Sequence, residues 1–441
     1  MQETMKRGSD AAIEDHRPAG SSKFAPPDAV LRTGSWRWLT FLFAAANFLE
    51  VAVVAHFVLF TPIFLGTIGF TKPEIDAWTG PLAASAFIFG IWFVPFWGVL
   101  ADRYGRKPLI LRSYYVEVVA MVLAAAGHNL WLFVLARALS GLALGNTGLM
   151  YAALTEATPK NRVALALGIV NGSAPLGALT GGLTGGFLVA RYGVHFVFGI
   201  DALVAAAIAL ILAFSYRDSF VPRKATPPVG AMMREAIRAV AHTPVAAMGF
   251  LVSLVSFVAF FLCYPYLPVR IEELVGASSA AVAIGLTQGY AGVATLVGSF
   301  LWGGLADRIG HRRLLSWLLL ATALLYLPLY AADSLLRITA GWVLLSLVNP
   351  SIASMIFTII SLNVPQEKRG SILSLVYLPM NFAFIVGPLF GSWMARLFEV
   401  RAVFLASALT AVAAWGLFAV YMRRSPLQEP GREKSPASKG L

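Results

Sequence analysis

Residues 98–107 have the sequence GVLADRYGRK, and residues 303–312 have the sequence GGLADRIGHR. Gly, Leu, Ala, Asp, Arg and Gly coincide between the two segments at a constant offset of 205 residues. A second pair of short polar segments, residues 159–162 and 365–369, recurs at nearly the same offset. Two related segments at matching places in each half predict that one structural unit has been duplicated along the chain.

The segments between these polar loops are too apolar for a water-soluble protein. Hydrophobic residues make up 58% of the 441 residues and charged residues 13%, against about 25% charged in soluble domains. About 20 residues of helix cross the hydrocarbon layer, and a helix satisfies its own backbone polar groups. We therefore predict an all-α membrane protein with twelve transmembrane helices in two six-helix bundles related by duplication. The predicted spans are residues 38–62, 78–98, 109–127, 131–153, 164–189, 195–215, 245–267, 281–302, 314–332, 337–360, 371–395 and 402–422.

The polar segments set the domain boundaries and the orientation. Of the 34 Lys and Arg residues, 27 fall on one side if the N-terminus is inside, and Lys and Arg near span ends resist translocation. The net charge of +12 is therefore explained by topology and not by a nucleic-acid partner. We predict a disordered cytoplasmic tail (1–35), an N-terminal bundle (36–216), a cytoplasmic linker with an amphipathic segment (217–243), a C-terminal bundle (244–422) and a cytoplasmic tail (423–441).

The inventory of reactive residues argues against catalysis. The single cysteine, Cys263, excludes an internal disulfide framework and is predicted to be inert packing. No nucleotide-binding glycine loop, metal-binding His pair or nucleophile beside a base occurs. We predict that the protein is not an enzyme, uses no cofactor, and takes its energy from a proton or cargo gradient. The preference for Arg over Lys, 25 to 9, favours a bacterial source and hence the inner (plasma) membrane.

The motif at residues 98–107, echoed after span 8, resembles the signature of the major facilitator superfamily over nearly the whole chain. The resemblance implies alternating access, in which the first, second, fourth and fifth helices of each half line a central cavity and the third and sixth lie outside. Asp102 is expected to pair with Arg106 or to accept hydrogen bonds from a helix N-terminus. His311 replaces the second Arg, which predicts a weaker gate there. The predicted gating residues are Gly98, Asp102, Arg103, Gly105, Arg106, Asp307, Arg308 and Gly310.

Charged residues inside spans are costly and point to function. Four occur, all in the first half and near midplane depth: Glu50, Glu117, Arg137 and Asp201. Glu50 is the predicted titrating group and Arg137 its predicted partner. The spacing of Arg137, Gly141 and Gly145 resembles the fourth-span arginine motif of proton-coupled family members. His56 is expected to be a polar helix-end residue and not a proton relay.

Span 5 carries a run of glycines broken by Pro175, which predicts close packing and bending at a bundle interface. The run resembles the fifth-span motif of exporters in the family. It departs from that motif because Ser173 and Ala174 precede Pro175 in place of a contiguous Gly-Pro pair.

Aromatic and amide residues of the second half, with Asn47 of the first, predict a wall for apolar, aromatic or amphiphilic cargo. The predicted cargo residues are Asn47, Phe257, Phe261, Tyr264, Gln288, Tyr290, Asn349, Tyr377 and Asn381. The favoured function is proton-coupled export of small lipophilic or amphiphilic compounds by a protein acting as a monomer, with protons, cargo and the lipid bilayer as partners. Two alternatives stay open: a metabolite symporter or facilitator, and a non-transporting receptor-like or scaffold protein.

Overall fold

A computed structural model describes residues 35–218, 229–366, 368, 372–373 and 375–424. Throughout these ranges the ordered elements are helices, with no β-strand, so the predicted all-α fold is confirmed. Eleven helical segments are long and apolar enough to cross a membrane. The protein is a multi-pass membrane protein. Residues 1–34 and 425–441 of the predicted tails, and Arg369 between spans 10 and 11, lie outside the described residues.

The N-terminal half contains nine helices; eight of them form six spans, and the short helix Thr61–Thr67 follows span 1. Spans 1, 3, 5 and 6 are continuous, whereas spans 2 and 4 are each built from two helices. The helices are α1 (Trp36–Leu59), α2 (Thr61–Thr67), α3 (Lys72–Gly90), α4 (Val94–Tyr104), α5 (Lys107–Ala126), α6 (Leu130–Gly141), α7 (Asn146–Ala157), α8 (Val163–Tyr192) and α9 (Val194–Ser215).

The C-terminal half follows the short amphipathic helix α10 (Val229–Ala241). Its spans 8, 9, 10 and 12 are continuous, and span 7 is divided between α11 and α12 at Tyr264 and Pro265. The helices are α11 (Pro244–Cys263), α12 (Tyr266–Val275), α13 (Ala277–Ile309), α14 (His311–Tyr330), α15 (Leu335–Asn363), α16 (Leu378–Leu397) and α17 (Val400–Arg424).

Two breaks in the first half differ from the continuous helices that the sequence predicted. Span 2 is interrupted between α3 and α4, and this span is not among the eleven segments that meet the length and apolarity criteria. Span 4 is interrupted between Gly141 and Asn146, where Gly145 has φ 91°. A residue in this left-handed region is most easily a glycine, since a side chain would clash with the backbone. The break turns Asn146 toward the interior, where it is 1% exposed.

The two halves touch mainly at one end of the molecule. We call the end that carries α10 the linker end, and the opposite end the far end. Toward the far end, span 5 packs against span 8 and span 2 against span 11. The Tyr266 hydroxyl donates to the backbone carbonyl of Asp76 at 3.0 Å, and Ser392 donates to that of Ala77 at 2.6 Å. The far end is therefore closed, with Lys72 and Glu273 paired at 2.5 Å across its rim.

Candidate transport site

A cavity of about 200 Å³ lies between the halves, on the linker-end side of the far-end contacts. Glu50, Glu117 and Arg137 line one side of it, and Phe261, Tyr264 and Phe384 line the other. The wall therefore combines the charged residues of the first half with aromatic residues of the second. Because α3, α6 and α7 also contribute, the spans that surround the cavity include the first, second and fourth, as the family resemblance implied. The lining departs from that expectation in two ways: it includes Glu117 of the third span, which the resemblance placed outside, and it includes no residue of the fifth span.

Glu50 is held by two neutral donors. Its Oε2 accepts a hydrogen bond from the Tyr114 hydroxyl at 2.9 Å and one from Asn146 Nδ2 at 2.7 Å. The predicted Glu50–Arg137 pair is wrong for this state, since Tyr114 and Asn146 take the place of the arginine. Asn146 follows directly on Gly145, and Tyr114 lies one helical turn before Glu117, so both residues adjoin positions that the sequence had marked.

Arg137 is 3% exposed and points toward span 2. Its Nε donates to the Leu82 carbonyl at 3.0 Å, its Nη2 donates to the Ala83 carbonyl at 3.2 Å, and its guanidinium lies 5.0 Å from the centre of the Phe57 ring. Its electrostatic partner is Glu117, which also senses the charge of Glu50. The glycines of its motif allow this approach: a Cβ on Gly141 would lie 2.0 Å from the Ala86 carbonyl oxygen. The motif thus brings spans 2 and 4 into contact and orients the arginine.

Asp201 does not reach the cavity wall but forms a buried pair with His56. Both carboxylate oxygens of Asp201 lie 2.9 Å from His56 Nδ1, and His56 Nε2 lies 2.8 Å from the carbonyl oxygen of Gly181. His56 is 5% exposed and Asp201 2% exposed. The expectation that His56 is an ordinary helix-end residue is therefore wrong. Sequence offered no direct signal for this pair, because the two residues are 145 positions apart.

Only some of the predicted aromatic residues line the cavity. Phe261, Tyr264 and Phe384 face the cavity, and Phe384 stacks on Phe87 of the first half with ring centres 4.0 Å apart and planes 5° apart. Phe57 and Phe87 of the first half also line the cavity, although the sequence pattern predicted aromatic cargo contacts only in the second half.

Other predicted cargo residues lie elsewhere. Asn47 donates to the Val170 carbonyl at 3.1 Å and to Ser173 Oγ at 2.9 Å, so it ties span 1 to span 5. Gln288 accepts from Trp342 Nε1 at 3.4 Å inside the second half. The remaining five are partly buried or exposed and are not among the cavity-lining residues: Phe257, Tyr290, Asn349, Tyr377 and Asn381. Of these, Phe257 stacks on Phe261 with ring centres 6.4 Å apart.

The first signature loop is held by carboxylates other than the predicted one. Arg106 forms a two-pronged ion pair with Glu156, which raises the pKa of the Arg106 guanidinium. Asp218 Oδ2 accepts from the backbone N–H groups of Arg106 and Lys107, at 2.5 and 3.0 Å, so it caps the start of α5. The predicted role of Asp102 as the partner of Arg106 or of a helix N-terminus is thus taken by Glu156 and Asp218.

The second signature loop is more loosely held. His311 Nε2 lies 3.9 Å from Asp307, and the Asp307 side chain is 81% exposed. Gly105 and Gly310, at equivalent positions, have φ near 90° in both loops, so each glycine serves as the turn between two helices. Gly98 has open space around it, and Arg103 and Arg308 are exposed.

The glycines of span 5 form two packing faces. A Cβ on Gly177 would lie 2.2 Å from the Phe48 carbonyl oxygen of span 1, whereas a Cβ on Gly186 would lie 2.8 Å from Gly285 Cα of span 8. Span 5 therefore touches its own bundle on one face and the opposite bundle on the other. By contrast, Gly168 and Gly172, nearer the linker end, have open space beside them. Contact between the halves along this helix is confined to its far-end part.

Comparison with known proteins agrees with this architecture. The family model of the Major Facilitator Superfamily matches residues 38–294 and 250–440. The chain is 31% identical over 363 residues to Multidrug resistance protein MdtG of Klebsiella pneumoniae (strain 342), covering 82% of this chain and 88% of the relative. It is 30% identical over 374 residues to the protein of that name from Escherichia coli (strain SE11), covering 83% and 91%.

Solved structures share the fold at low sequence identity. A bacterial homologue of the human lysosomal transporter Spinster, in an inward-facing and unoccupied conformation, has a TM-score of 0.69 at 17% identity over 90% of this chain and 99% of that one. A D-xylose-proton symporter has a TM-score of 0.70 at 17% identity over 87% and 97%. Together with the family match, the duplicated signature and the twelve-span fold, these findings establish that the chain is a secondary transporter, not an enzyme, and belongs to the major facilitator superfamily.

Proposed function

We propose that the protein exports small lipophilic or amphiphilic compounds from bacterial cytoplasm in exchange for protons. The observation that carries this proposal is the composition of the cavity, where two carboxylates and one guanidinium share a chamber with aromatic rings of both halves. Aromatic rings bind apolar cargo with little directional demand, and buried ionisable groups supply a place for a proton. The names of the MdtG relatives support the drug-like nature of the cargo.

Glu50 is the proposed exchange group. Among the described residues no cationic side chain pairs with Glu50, so its carboxylate depends on Tyr114 and Asn146 for stabilisation. A cationic or cation-bearing amphiphilic cargo that enters the cavity compensates the charged carboxylate and so lowers its affinity for a proton. Binding of cargo and binding of a proton then compete for one carboxylate, which is the requirement for exchange.

Glu117 and Arg137 are proposed to set the charge balance of this step. Arg137 interacts electrostatically with Glu117, and Glu117 in turn with Glu50. The loss or gain of a proton at Glu50 therefore changes the electrostatic environment of Glu117, and Glu117 in turn acts on Arg137. The three residues form a coupled group rather than independent sites.

The direction of transport follows if the linker end is cytoplasmic, as the distribution of Lys and Arg predicts. The closed far end then faces the periplasm, and the structure corresponds to an inward-facing state that receives cargo from the cytoplasm or inner leaflet. The signature loops, with the Arg106–Glu156 pair, are proposed to steady the inner ends of the helices as the halves rock.

The test uses everted membrane vesicles with an internal pH dye and a panel of lipophilic dyes and drugs. An exchanger releases protons from the acidified lumen when cargo is added, and Glu50→Gln abolishes that release. Glu235→Gln, on the exposed face of α10, is the matched control and retains it.

Each opposite result excludes one alternative. A symporter or facilitator moves cargo without cargo-induced proton release, and a non-transporting protein moves no solute in the whole panel. Full proton release by Glu50→Gln would overturn the assignment of the exchange group.

A further inference from the structure

We propose that His56 and Asp201 form a second proton site, separate from the cavity, whose proton keeps the far end closed. This inference rests on the proposed proton-coupled exchange, and it assigns a location and a structural effect to a proton other than the one at Glu50. It is carried by hydrogen-bond geometry and by the packing of span 5.

The number of protons follows from the contacts of the imidazole. Nδ1 faces the Asp201 carboxylate at 2.9 Å, and Nε2 faces the Gly181 carbonyl at 2.8 Å. A carbonyl oxygen only accepts, so Nε2 must carry hydrogen, and one further proton must lie between Nδ1 and the carboxylate. The pair therefore holds two protons and has no net charge. Removal of the proton between them leaves Nδ1 and the carboxylate, which are then both acceptors, facing each other at hydrogen-bond distance. It also leaves an uncompensated negative charge in a buried position.

The ring also touches the helix that seals the far end. A Cβ on Gly185 would lie 2.5 Å from His56 Cδ2 and 2.6 Å from His56 Nε2, so the imidazole fits only against a glycine. On the other face of the same turns, Gly182 packs against Gln288 and Gly186 against Gly285 of span 8. A shift of span 5 away from His56 consequently disturbs the contact between the halves. The His56 ring and the contacts that close the far end therefore involve the same two turns of span 5.

Few charged groups lie near the His56–Asp201 pair. Glu117 of α5 interacts electrostatically with the Asp201 carboxylate, and Glu50 lies on the same helix, α1, as His56. Arg137 of α6 contacts Phe57, the next residue after His56. In α8 the sole charged residue is Arg191, about ten positions beyond Gly181, and α2 has none. Asp201 is thus the direct partner, and Glu117 is the neighbour whose own proton can influence it.

The direction of the effect agrees with exchange. A proton taken up from the periplasm when the far end is open completes the His56 contacts, which favours closure. Loss of the proton breaks one contact and favours opening. Inward movement of protons is the sense that an exporter driven by a proton gradient requires.

The experiment measures distances between spin labels at the far ends of spans 5 and 8. Cysteines replace the exposed residues Arg191 and Ser278 in a Cys263→Ala background, and the purified protein is studied without cargo from about pH 6 to about pH 9. In the otherwise unaltered protein, the ratio of open to closed far ends rises with pH, by at most about tenfold per pH unit for one linked proton. Asp201→Asn retains a hydrogen-bonding partner for Nδ1 without an ionisable carboxylate, so its far end stays closed over the same range.

Two further variants test whether the pH response comes from this pair and not from another group. The double variant His56→Leu with Asp201→Leu replaces the pair by apolar side chains, which proteins often tolerate, and it also lacks the pH response. Glu50→Gln retains the pH response of the far end but loses cargo-induced proton release, which separates this site from the proposed exchange group. An unaltered protein with no pH response, or Asp201→Asn with the full response, would overturn the inference.

Discussion

The two halves repeat the same signature loop but carry different side chains within their spans. At an offset of 205 or 206 residues, each of the four charged residues that the sequence places inside spans of the first half aligns with an uncharged residue of the second. The pairs are Glu50 and Ser256, Glu117 and Thr322, Arg137 and Trp342, and Asp201 and Ser407. The second half instead supplies Phe261, Tyr264 and Phe384 to the cavity. The signature loop is thus common to both halves, whereas these four charged residues lie in the first and the aromatic contacts of the cavity come mainly from the second.

The largest expected difference concerns transport. Glu117→Gln removes an ionisable carboxyl that lines the cavity together with Glu50 and Arg137, and we expect concentrative efflux to fall by more than about tenfold. Thr322→Val, at the equivalent place in the second half, leaves efflux within about twofold. Dye efflux from energised cells expressing equal amounts of each variant measures both. Equal losses in the two variants would contradict the division of chemistry between the halves.

The next prediction tests the shared frame. A Cβ on Gly141 or on Gly298 would lie 2.0 Å from a backbone carbonyl oxygen, that of Ala86 or of Leu347, respectively. Each glycine-to-alanine change should therefore cost about 1–3 kcal/mol of stability, with similar values in the two halves. Thermal unfolding in detergent measures the cost.

Gly148→Ala and Gly303→Ala are the matched controls, since both glycines have open space beside them. A large loss for Gly141→Ala with none for Gly298→Ala would show that packing, as well as chemistry, differs between the halves.

A smaller difference is expected at the signature loops. Arg106 is paired with Glu156 by two hydrogen bonds, whereas His311 lies 3.9 Å from an exposed Asp307. Arg106→Ala should change the ratio of open to closed linker ends by about fivefold, and His311→Ala by less than about twofold. Spin labels at Lys160 and Lys368, both exposed at the linker end, report the distance between the halves. A greater effect of His311→Ala would reverse the predicted order of the two gates.

The smallest effect is expected from removing buried hydroxyl groups of the second half. Within the described residues, Ser256 Oγ and Thr322 Oγ1 are buried without a hydrogen-bond partner. Replacement by Ala or Val removes an unsatisfied polar group, so stability should change by less than about 1 kcal/mol or improve. Chemical unfolding of Ser256→Ala and Thr322→Val measures it, and a marked loss would indicate that these hydroxyls have partners.

The sequence predicted the helical architecture better than the contacts of the residues at the transport site. Hydropathy predicted the positions of the twelve spans, and the repeated signature predicted which spans of the two halves correspond. Both signals depend on local sequence alone. The glycines of span 5 predicted close packing for a similar reason: a missing side chain has the same meaning wherever the helix lies. The broken spans 2 and 4 were missed, since short interruptions leave the average hydropathy of a span unchanged.

The partners of the charged residues could not be predicted in the same way. Glu50 and Arg137 share a depth in the membrane, but depth does not specify the rotation of a helix about its axis. The turn at Gly145 decides that Asn146 meets Glu50, and the contact of spans 2 and 4 at Gly141 decides that Arg137 donates to carbonyls of span 2. The His56–Asp201 pair depends on the relative rotation of spans 1 and 6, for which the chain carries no local signal.

The stacked rings of Phe87 and Phe384 belong to opposite halves, with centres 4.0 Å apart. Any rocking motion that separates the halves at this level must part the two rings, and each then offers an unoccupied flat surface. A planar molecule inserted between them would restore the lost stacking on both sides, much as a dye intercalates between base pairs. We expect such a gap to select cargo by thickness, so that flat compounds of unrelated structure are accepted while bulky three-dimensional ones of similar polarity are not.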